Sequence, residues 1–513
     1  MQPAAHSIAL LPDILAHQAQ LRPDAPALWW QGKAVSYREL QRRVRRLAER
    51  LAATGSAGDR IAVLAWNCPE FIELIYAVPA AGRILVPLNA RLAPAEIDWQ
   101  LRHAGAHTLF ADAALLAALK NCDSPDETVA TIELGDPCRE WLAAGPCAQP
   151  PTVQAQDPAW ILYTSGSTGR PKGAVLTHRS FMAGLASAAL ARPVQPEDRY
   201  FYPFPLFHVA AHNVLLQHLY GAAVVLAPAF DAGETLAACR DLGVTSMSLA
   251  PTMLGMLLDH PAFQASDLAN VRSIGYGASA MPATLLQRLL QEADVGLCQS
   301  YGMTELSGSV AFLTAEDHRA AATDRPALLG SVGRVLPTAE IRIAGDDDEP
   351  LPCGAEGEIL VRAEQCMAGY WRDAAATDKA LSNGWLHTGD IGRFDADGYL
   401  YIVDRKKDMI ISGGENIASR EVEEVLRKHP AIKDCAVIGL ADAHWGERVC
   451  AVLVLKQEVT DEALTAHCRA ALAGYKTPRR WFRCDALPLN AAGKVDKPAL
   501  RERYSQSAPP ATA

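Results

Sequence analysis

The chain has 513 residues, too many for one hydrophobic core, so two or more domains are expected. Half the residues are apolar and 21% are charged, and 48 Lys and Arg against 58 Asp and Glu leave a net charge of −10. That balance speaks against nucleic acid or an anionic membrane as partner, and no uncharged apolar run reaches the ~20 residues that span a bilayer. Twelve scattered cysteines form no Cys-x-x-Cys. This argues against a structural zinc site or a disulfide scaffold and for reduced thiols in a cytoplasmic protein. Met1 to Leu11 lacks the basic start and apolar core of a signal peptide.

The first clear element is SYRELQRRVRRLAERLAATG (36–55). Ser36 and Glu39 have capping-box spacing, Leu40, Val44, Leu47 and Leu51 make one apolar face, and Gly55 is placed to stop the helix. Arg42, Arg43, Arg45 and Arg46 occupy the remaining positions and read as a solvated face. DRIAVLAW then predicts a strand, PEFIELIYAVPAAG a helix, RILVPLNA a strand and PAEIDWQLRHAG a helix. The rhythm continues through GAAVVLA, VTSMSLAP, VRSIGYG and VGLCQSYG. Such alternation implies βαβ units and an α/β fold with parallel sheets. Near residue 340 the style changes: AEIRIAG, GEILVR and GYLYIVD are short, turn-punctuated strands of a small antiparallel or barrel-like sheet. Beyond DRKKD, the segments SREVEEVLRKHP, DCAVIGL, RVCAVLVLK and DEALTAHCRAALA suit a small separate α+β domain. The expected division is residues 1–406, 407–504 and a disordered tail, 505–513.

YTSGSTGRPKG (163–173) follows the apolar run Ala159–Leu162. Glycines and small hydroxyl residues after a strand can make a backbone nest for an anion. A helix beginning near Thr177, a good N-cap, would aim its positive end the same way. The lysine comes one place late for a Walker A motif, and GSTG does not fit a nucleophile elbow. The loop alone fits a phosphate site and a plain turn equally well.

Further stretches follow in order: PLFHVAAHN (205–213), GYGASAMP (275–282), SYGMTE (300–305), WLHTGD (385–390), YIVDRKKDMIISGGENIASREVE (401–423) and LPLNAAGKVDKPALR (487–501). Together with the loop these resemble the signatures of the adenylate-forming (AMP-binding) superfamily, in its acyl-CoA synthetase branch. They span nearly the whole chain. The resemblance implies a large N-terminal domain, a mobile C-terminal lid and two half-reactions. A carboxylate and Mg-ATP give acyl-AMP and pyrophosphate, and the thiol of coenzyme A then displaces AMP.

By that resemblance Thr164, Ser165, Gly166, Ser167, Thr168, Gly169 and Lys172 hold the β- and γ-phosphates. Gly277 and Ala278 adjoin the nucleotide, and Tyr301 stacks on adenine. Thr304 bonds the α-phosphate, and Glu305 holds Mg²⁺, a hard cation that takes oxygen ligands. Asp390 accepts from the ribose hydroxyls with Arg405 near the same sugar. Lys494 bridges the carboxylate and α-phosphate oxygens as charge builds between them. Lys407 is the hinge, and Gly413 and Gly414 let a pantetheine arm pass close to backbone. His208 positions the carboxylate, with Ala210, Val214, Tyr276 and Met303 on the acyl-pocket wall, where simple core packing is an equal reading. His208 and His212 have a helical metal-ligand spacing, but the Glu of His-Glu-x-x-His is missing.

Two stretches depart from the family pattern. Ala418 and Ser419 stand where Tyr-Pro is common, which implies a shifted loop and an altered thiol tunnel. GYGASAMP sets a bulky Tyr276 beside the pocket. GYGASA also fits Gly-x-Gly-x-x-Ala, the mark of a nicotinamide dehydrogenase, but no acid ends the next strand to hold ribose. A nearer rival is an adenylating enzyme that loads a carrier-protein thiol, or one that oxidises acyl-AMP as luciferases do. A dead nucleotide-binding relative would be expected to lack Lys494 or Glu305. HVAAHNVLL offers no arginine for a second carboxylate, which favours a fatty or aryl monocarboxylic acid. The sequence leaves the oligomeric state open, a homodimer included.

Overall fold

The computed structural model describes residues 8–120, 129–164, 171–277, 281–412, 415–442, 445–490 and 493–505. The chain divides into two compact units: Met1–Ile341 with Val361–Leu386 and Gly398–Leu400, and Arg342–Leu360 with His387–Asp397 and Tyr401–Ala513. Among the described residues no helix is long and apolar enough to cross a membrane.

The first unit holds two sheets. In the seven-stranded one, Arg60–Leu64 pairs in parallel with Ile84–Pro87 and Ala106–Ala111. Ile61, Ala62, Val63 and Leu64 are all fully buried, the continuous apolar run expected of a parallel strand covered on both faces. In the same sheet Pro158–Thr164 and Lys172–Thr177 are antiparallel, and Thr164 faces Lys172 across the ladder. The glycine-rich segment therefore joins two strands. The helix His178–Ala191 does begin after Thr177, whose Oγ1 accepts from the Ser180 N–H at 3.0 Å. A whole strand lies between loop and helix, about 20 Å at ~3.3 Å per residue. The helix dipole fades within a turn, well short of the Lys172 end of that strand, contrary to the sequence reading.

The nine-stranded sheet runs in the order Arg334–Val335, Gly308–Leu313, Gly296–Met303, Ser273–Gly277, Ser246–Ser248, Arg199–Tyr202, Ala223–Leu226, Pro26–Trp30 and Lys33–Ser36. The helix Tyr37–Ala52 packs on the helix Pro69–Ala80 and on the strands Pro26–Trp30 and Lys33–Ser36, and its Leu40, Val44, Leu47 and Leu51 are all at most 2% exposed. Ser36 caps it through the Glu39 N–H, but the reciprocal half of the box is absent. Glu39 instead takes Arg42 and Arg43 at 2.8 and 2.7 Å, and those arginines do face solvent. The helix ends at Ala53, two residues before Gly55.

Three buried histidines tie this unit together. His178 Nδ1 accepts the Leu11 N–H at 3.2 Å. His218 Nε2 donates to the Ala27 carbonyl at 3.0 Å and Nδ1 accepts from the Tyr76 hydroxyl at 2.8 Å. His212 Nδ1 donates to the Val209 carbonyl at 3.0 Å. Burial pushes each imidazole down to about 4, from 6.5. Between those values the unfolded chain binds more protons, so their contribution is full above pH 6.5 and is lost as pH falls toward 4. Each is worth up to about 3 kcal/mol. Glu73 runs the other way, because burial pushes its carboxyl up to about 7 and it gains stability as pH falls to 4.5. Three groups outweigh one, so the melting temperature should fall from pH 7 to pH 5 in a thermal scan. A flat profile would contradict these environments.

The second unit is built on a sheet of Glu415–Ile417, Ile410–Ser412, Gly446–Leu455, Ile432–Asp442 and Arg480–Arg483. Both faces of Ile432–Asp442 are buried. Cys435 and Val437 pack with Val422 and Leu426 of the helix Ser419–Arg427. Ala436, Ile438 and Leu440 pack with Leu500 and Tyr504 of the helix Lys497–Ser505. A further five-stranded sheet is made of Ala339–Ala344, Gly357–Ala363, Leu381–Ser382, Trp385–Phe394 and Leu400–Arg405.

Candidate active site

The first unit gathers a set of polar groups at the foot of the glycine-rich segment. Thr164 and Lys172 are brought side by side by the hairpin register. Glu305, only 5% exposed, sits in the short helical turn Thr304–Leu306 that ends the strand Gly296–Met303. Its Oε1 accepts from the Thr164 hydroxyl at 3.3 Å and from the Tyr370 hydroxyl at 2.9 Å. Lys172 Nζ lies 5.0 Å from the centre of the Tyr370 ring. Burial first, and then Glu305, holds the Tyr370 phenol well above its ordinary range, so it stays a donor. Tyr370 was missed at the sequence level. It reaches the site because Gly369–Tyr370 pairs with Ala174 and Val175 as an added edge strand.

A bulge shapes this corner. The pairing of Gly296–Met303 with Gly308–Leu313 slips between Tyr301 and Gly302. A Cβ on Gly302 would overlap the Gly308 carbonyl, so only glycine fits there. Such a bulge turns the side chains after it, and Tyr301, Met303 and Thr304 are each half-buried beside it. Gly277 pairs with Ser300 on the neighbouring strand. His208 precedes the turn Val209–Ala211, half-buried, with its ring 4.8 Å from that of Phe207. Ala210 is half-buried and Val214 fully buried. Tyr276 is placed in the core instead of on a wall: it is 4% exposed, packs in the apolar cluster, and its hydroxyl engages Gln299 and His318 at 3.1 and 2.7 Å. A phenol so engaged has little left to offer a ligand.

The second unit carries its own cluster. Asp390, 4% exposed, pairs its Oδ1 with Arg405 Nε at 2.7 Å. The Asp390 N–H donates to Thr388 Oγ1, which donates to the Ile359 carbonyl at 2.8 Å. Lys494 belongs to a tight turn: the Asn490 N–H donates to the Lys494 carbonyl at 2.7 Å, and Asn490 Oδ1 accepts the Lys494 N–H at 3.1 Å. Lys494 keeps an exposed surface, yet crowding protein atoms hold its ammonium below the usual lysine range. Arg405 and Lys407 push the same way and Asp390 opposes them. Lys407 is exposed, and its carbonyl accepts from Arg501 at 3.5 Å.

Ser419 stands at the start of a helix, Ser419–Arg427, and its N–H and hydroxyl both donate to Asp404 Oδ2, at 2.6 and 2.7 Å. A proline there would offer neither donor. Asp404 Oδ1 also accepts the Arg405 N–H at 2.7 Å, so the departure anchors Arg405 from behind. Ser165, Gly166, Ser167, Thr168, Gly169, Ala278, Gly413 and Gly414 lie outside the described residues.

The donor set fits a magnesium ion. Glu305 is a buried carboxylate whose side-chain partners among the described residues are two neutral hydroxyls, which leaves its charge for a hard cation. Glu305 would hold the ion, and the ion would supply neutralisation of phosphate charge.

Residues 15–371 match the AMP-binding enzyme family and residues 421–494 the AMP-binding enzyme C-terminal domain. The chain belongs to the AMP-binding enzyme family. It is 38% identical over 498 residues to feruloyl-CoA synthase of an Amycolatopsis species, covering 95% of this chain and 97% of that protein. It is 35% identical to the long-chain-fatty-acid–CoA ligase FadD13 of Mycobacterium tuberculosis, over 93% of this chain and 94% of that one. Among solved structures it resembles the o-succinylbenzoate CoA synthetase MenE of Bacillus subtilis in complex with the acyl-adenylate OSB-AMP. That match has a TM-score of 0.84 at 33% identity and covers 96% of this chain and 98% of that one. Membership of this family sets the dehydrogenase reading aside.

Proposed function

We infer that the protein is an AMP-forming acid–CoA ligase that activates a fatty or aryl carboxylic acid. The observation that carries the reading is the buried Glu305 between the Thr164 and Tyr370 hydroxyls, with Lys172 over the Tyr370 ring, in a chain similar over nearly its whole length to two CoA ligases. A carboxylate is a poor electrophile, and two anions, acid and triphosphate, must be held against their repulsion. Lys172, Thr164 and the loop residues 165–169 bind the outer phosphates. Thr304 donates to the α-phosphate, Tyr301 faces the base, and Gly277 and Ala278 adjoin it. Asp390 accepts from ribose while Arg405 fixes its orientation. His208 orients the carboxylate, and Ala210, Val214 and Met303 bound the acyl group. Lys494 meets the oxyanions of the adenylation step. Crowding protein atoms and then the Arg405 and Lys407 charges lower its pKa, and an oxyanion beside it would act in the opposite sense.

Lys407 is the hinge at which a lid, residues 407–504, exchanges Lys494 for Gly413 and Gly414 between half-reactions. Coenzyme A is the thiol substrate. The experiment is AMP release from ATP and magnesium with a panel of acids, with and without free CoA. Steady CoA-dependent turnover supports the reading. Turnover indifferent to CoA would favour a carrier-protein thiol or an oxidative fate and overturn it.

A further inference from the structure

The sheet face shared by Gly275 and Gly277 is paved with small residues. Register sets Ser248 and Cys298 on either side of Gly275, and Ser300 beside Gly277. Alternation sends Ile274 and Tyr276 to the opposite face, into the apolar cluster. A large cation lies on the small-residue face. Arg192, the C-cap of the helix His178–Ala191, lays its guanidinium over Gly275 so closely that a Cβ there would overlap Nη1. Nη1 donates to Ser248 Oγ at 3.0 Å and Nη2 to the Met247 carbonyl at 3.1 Å. The Tyr200 ring is 5.8 Å away, and its hydroxyl donates to the same Ser248 oxygen. These partners are neutral. The charge is felt at His212, whose imidazole is held down by burial and then by Arg192.

A guanidinium is a permanent cation with a planar fork of donors that matches paired oxygens, and half-buried Arg192 has no carboxylate partner among the described residues. Gly275 precedes Gly277 by two residues, about 7 Å along the strand. Arg192 is therefore set deeper than Gly277, at the far end of an acid activated near it. HVAAHNVLL showed no arginine for a second oxygen group, but the fold supplies one from the end of the preceding helix. We propose that Arg192 is a specificity residue that reads a distal oxygen acceptor, a carboxylate or a phenol, on the acid. This rests on the acid–CoA ligase reading.

The test is CoA-dependent AMP formation with 4-carboxy-, 4-hydroxy- and 4-methylcinnamate, and with adipate against hexanoate as an aliphatic pair. Wild type should favour an oxygen-bearing acid by about tenfold or more in kcat/KM. The winner within the cinnamates tells carboxylate from phenol. Arg192→Met should erase that preference while keeping the methyl or hexanoate rate within about threefold, and Arg192→Lys should keep part of it. The wild-type ratios and Arg192→Lys carry the test if Arg192→Met folds poorly. Wild type that prefers the methyl acid and hexanoate, or an unchanged ratio in Arg192→Met, overturns the assignment and leaves the ligase reading standing. No turnover of any acid would defeat the ligase reading and this inference with it.

Discussion

Lys494→Ala is expected to cut acyl-AMP formation by roughly 10²–10³-fold, the usual cost of removing a charge-stabilising donor, while thioester formation from supplied acyl-AMP stays within a few-fold. The turn that carries Lys494 is clamped from both sides by Asn490, and the Lys494 ammonium shares a crowded space with Arg405 and Lys407. Desolvation and like charge make that ammonium costly to keep, and an oxyanion relieves both. Only adenylation brings carboxylate and α-phosphate oxygens together, so only that step depends on the compensation. The two half-reactions are measured separately, one by AMP-ester accumulation without CoA and one by thioester release from synthetic acyl-AMP. Equal loss in both would remove Lys494 from the assigned role.

Glu305→Gln is the second large effect. Glutamine keeps the shape and can still accept from the Thr164 and Tyr370 hydroxyls, so the fold around the strand Gly296–Met303 should survive. The charge is gone. Adenylation should drop by about 10²-fold, equivalent to roughly 3 kcal/mol of barrier, and its magnesium dependence should shift to higher concentration. Titrating magnesium at saturating ATP reads both. An unchanged magnesium midpoint would mean that Glu305 serves only the Tyr370 and Thr164 hydrogen bonds.

Local chemistry was legible from sequence and spatial convergence was not. The helix Tyr37–Ala52 announced itself through Leu40, Val44, Leu47 and Leu51, and its arginines were rightly left to solvent. Half its capping box failed because Arg42 and Arg43 outbid the Ser36 N–H for Glu39, a competition that spacing cannot rank. The strand Lys172–Thr177 is hidden in the sequence because its short apolar stretch Ala174–Leu176 lies directly between the glycine-rich segment and the N-cap Thr177. Tyr370 carries no charge and sits in no charged motif, and it meets Glu305 only after Gly369–Tyr370 joins the edge of a sheet. Ser419 looked like a break in a pattern, and it became an anchor once Asp404 was folded against it. Tyr276 went to the core because strand alternation, set by Ile274, left its side chain on the covered face.

The enzyme's central chemical ability is to hold ATP so that an organic acid can attack its α-phosphorus reversibly. Exchange of labelled pyrophosphate into ATP measures that step alone, with magnesium, without CoA, across a broad set of carboxylic acids. Acid-dependent exchange is expected in the wild type and its loss in Lys494→Ala. Folded wild-type protein that exchanges no label with any acid, or that exchanges equally with no acid added, would contradict this assignment.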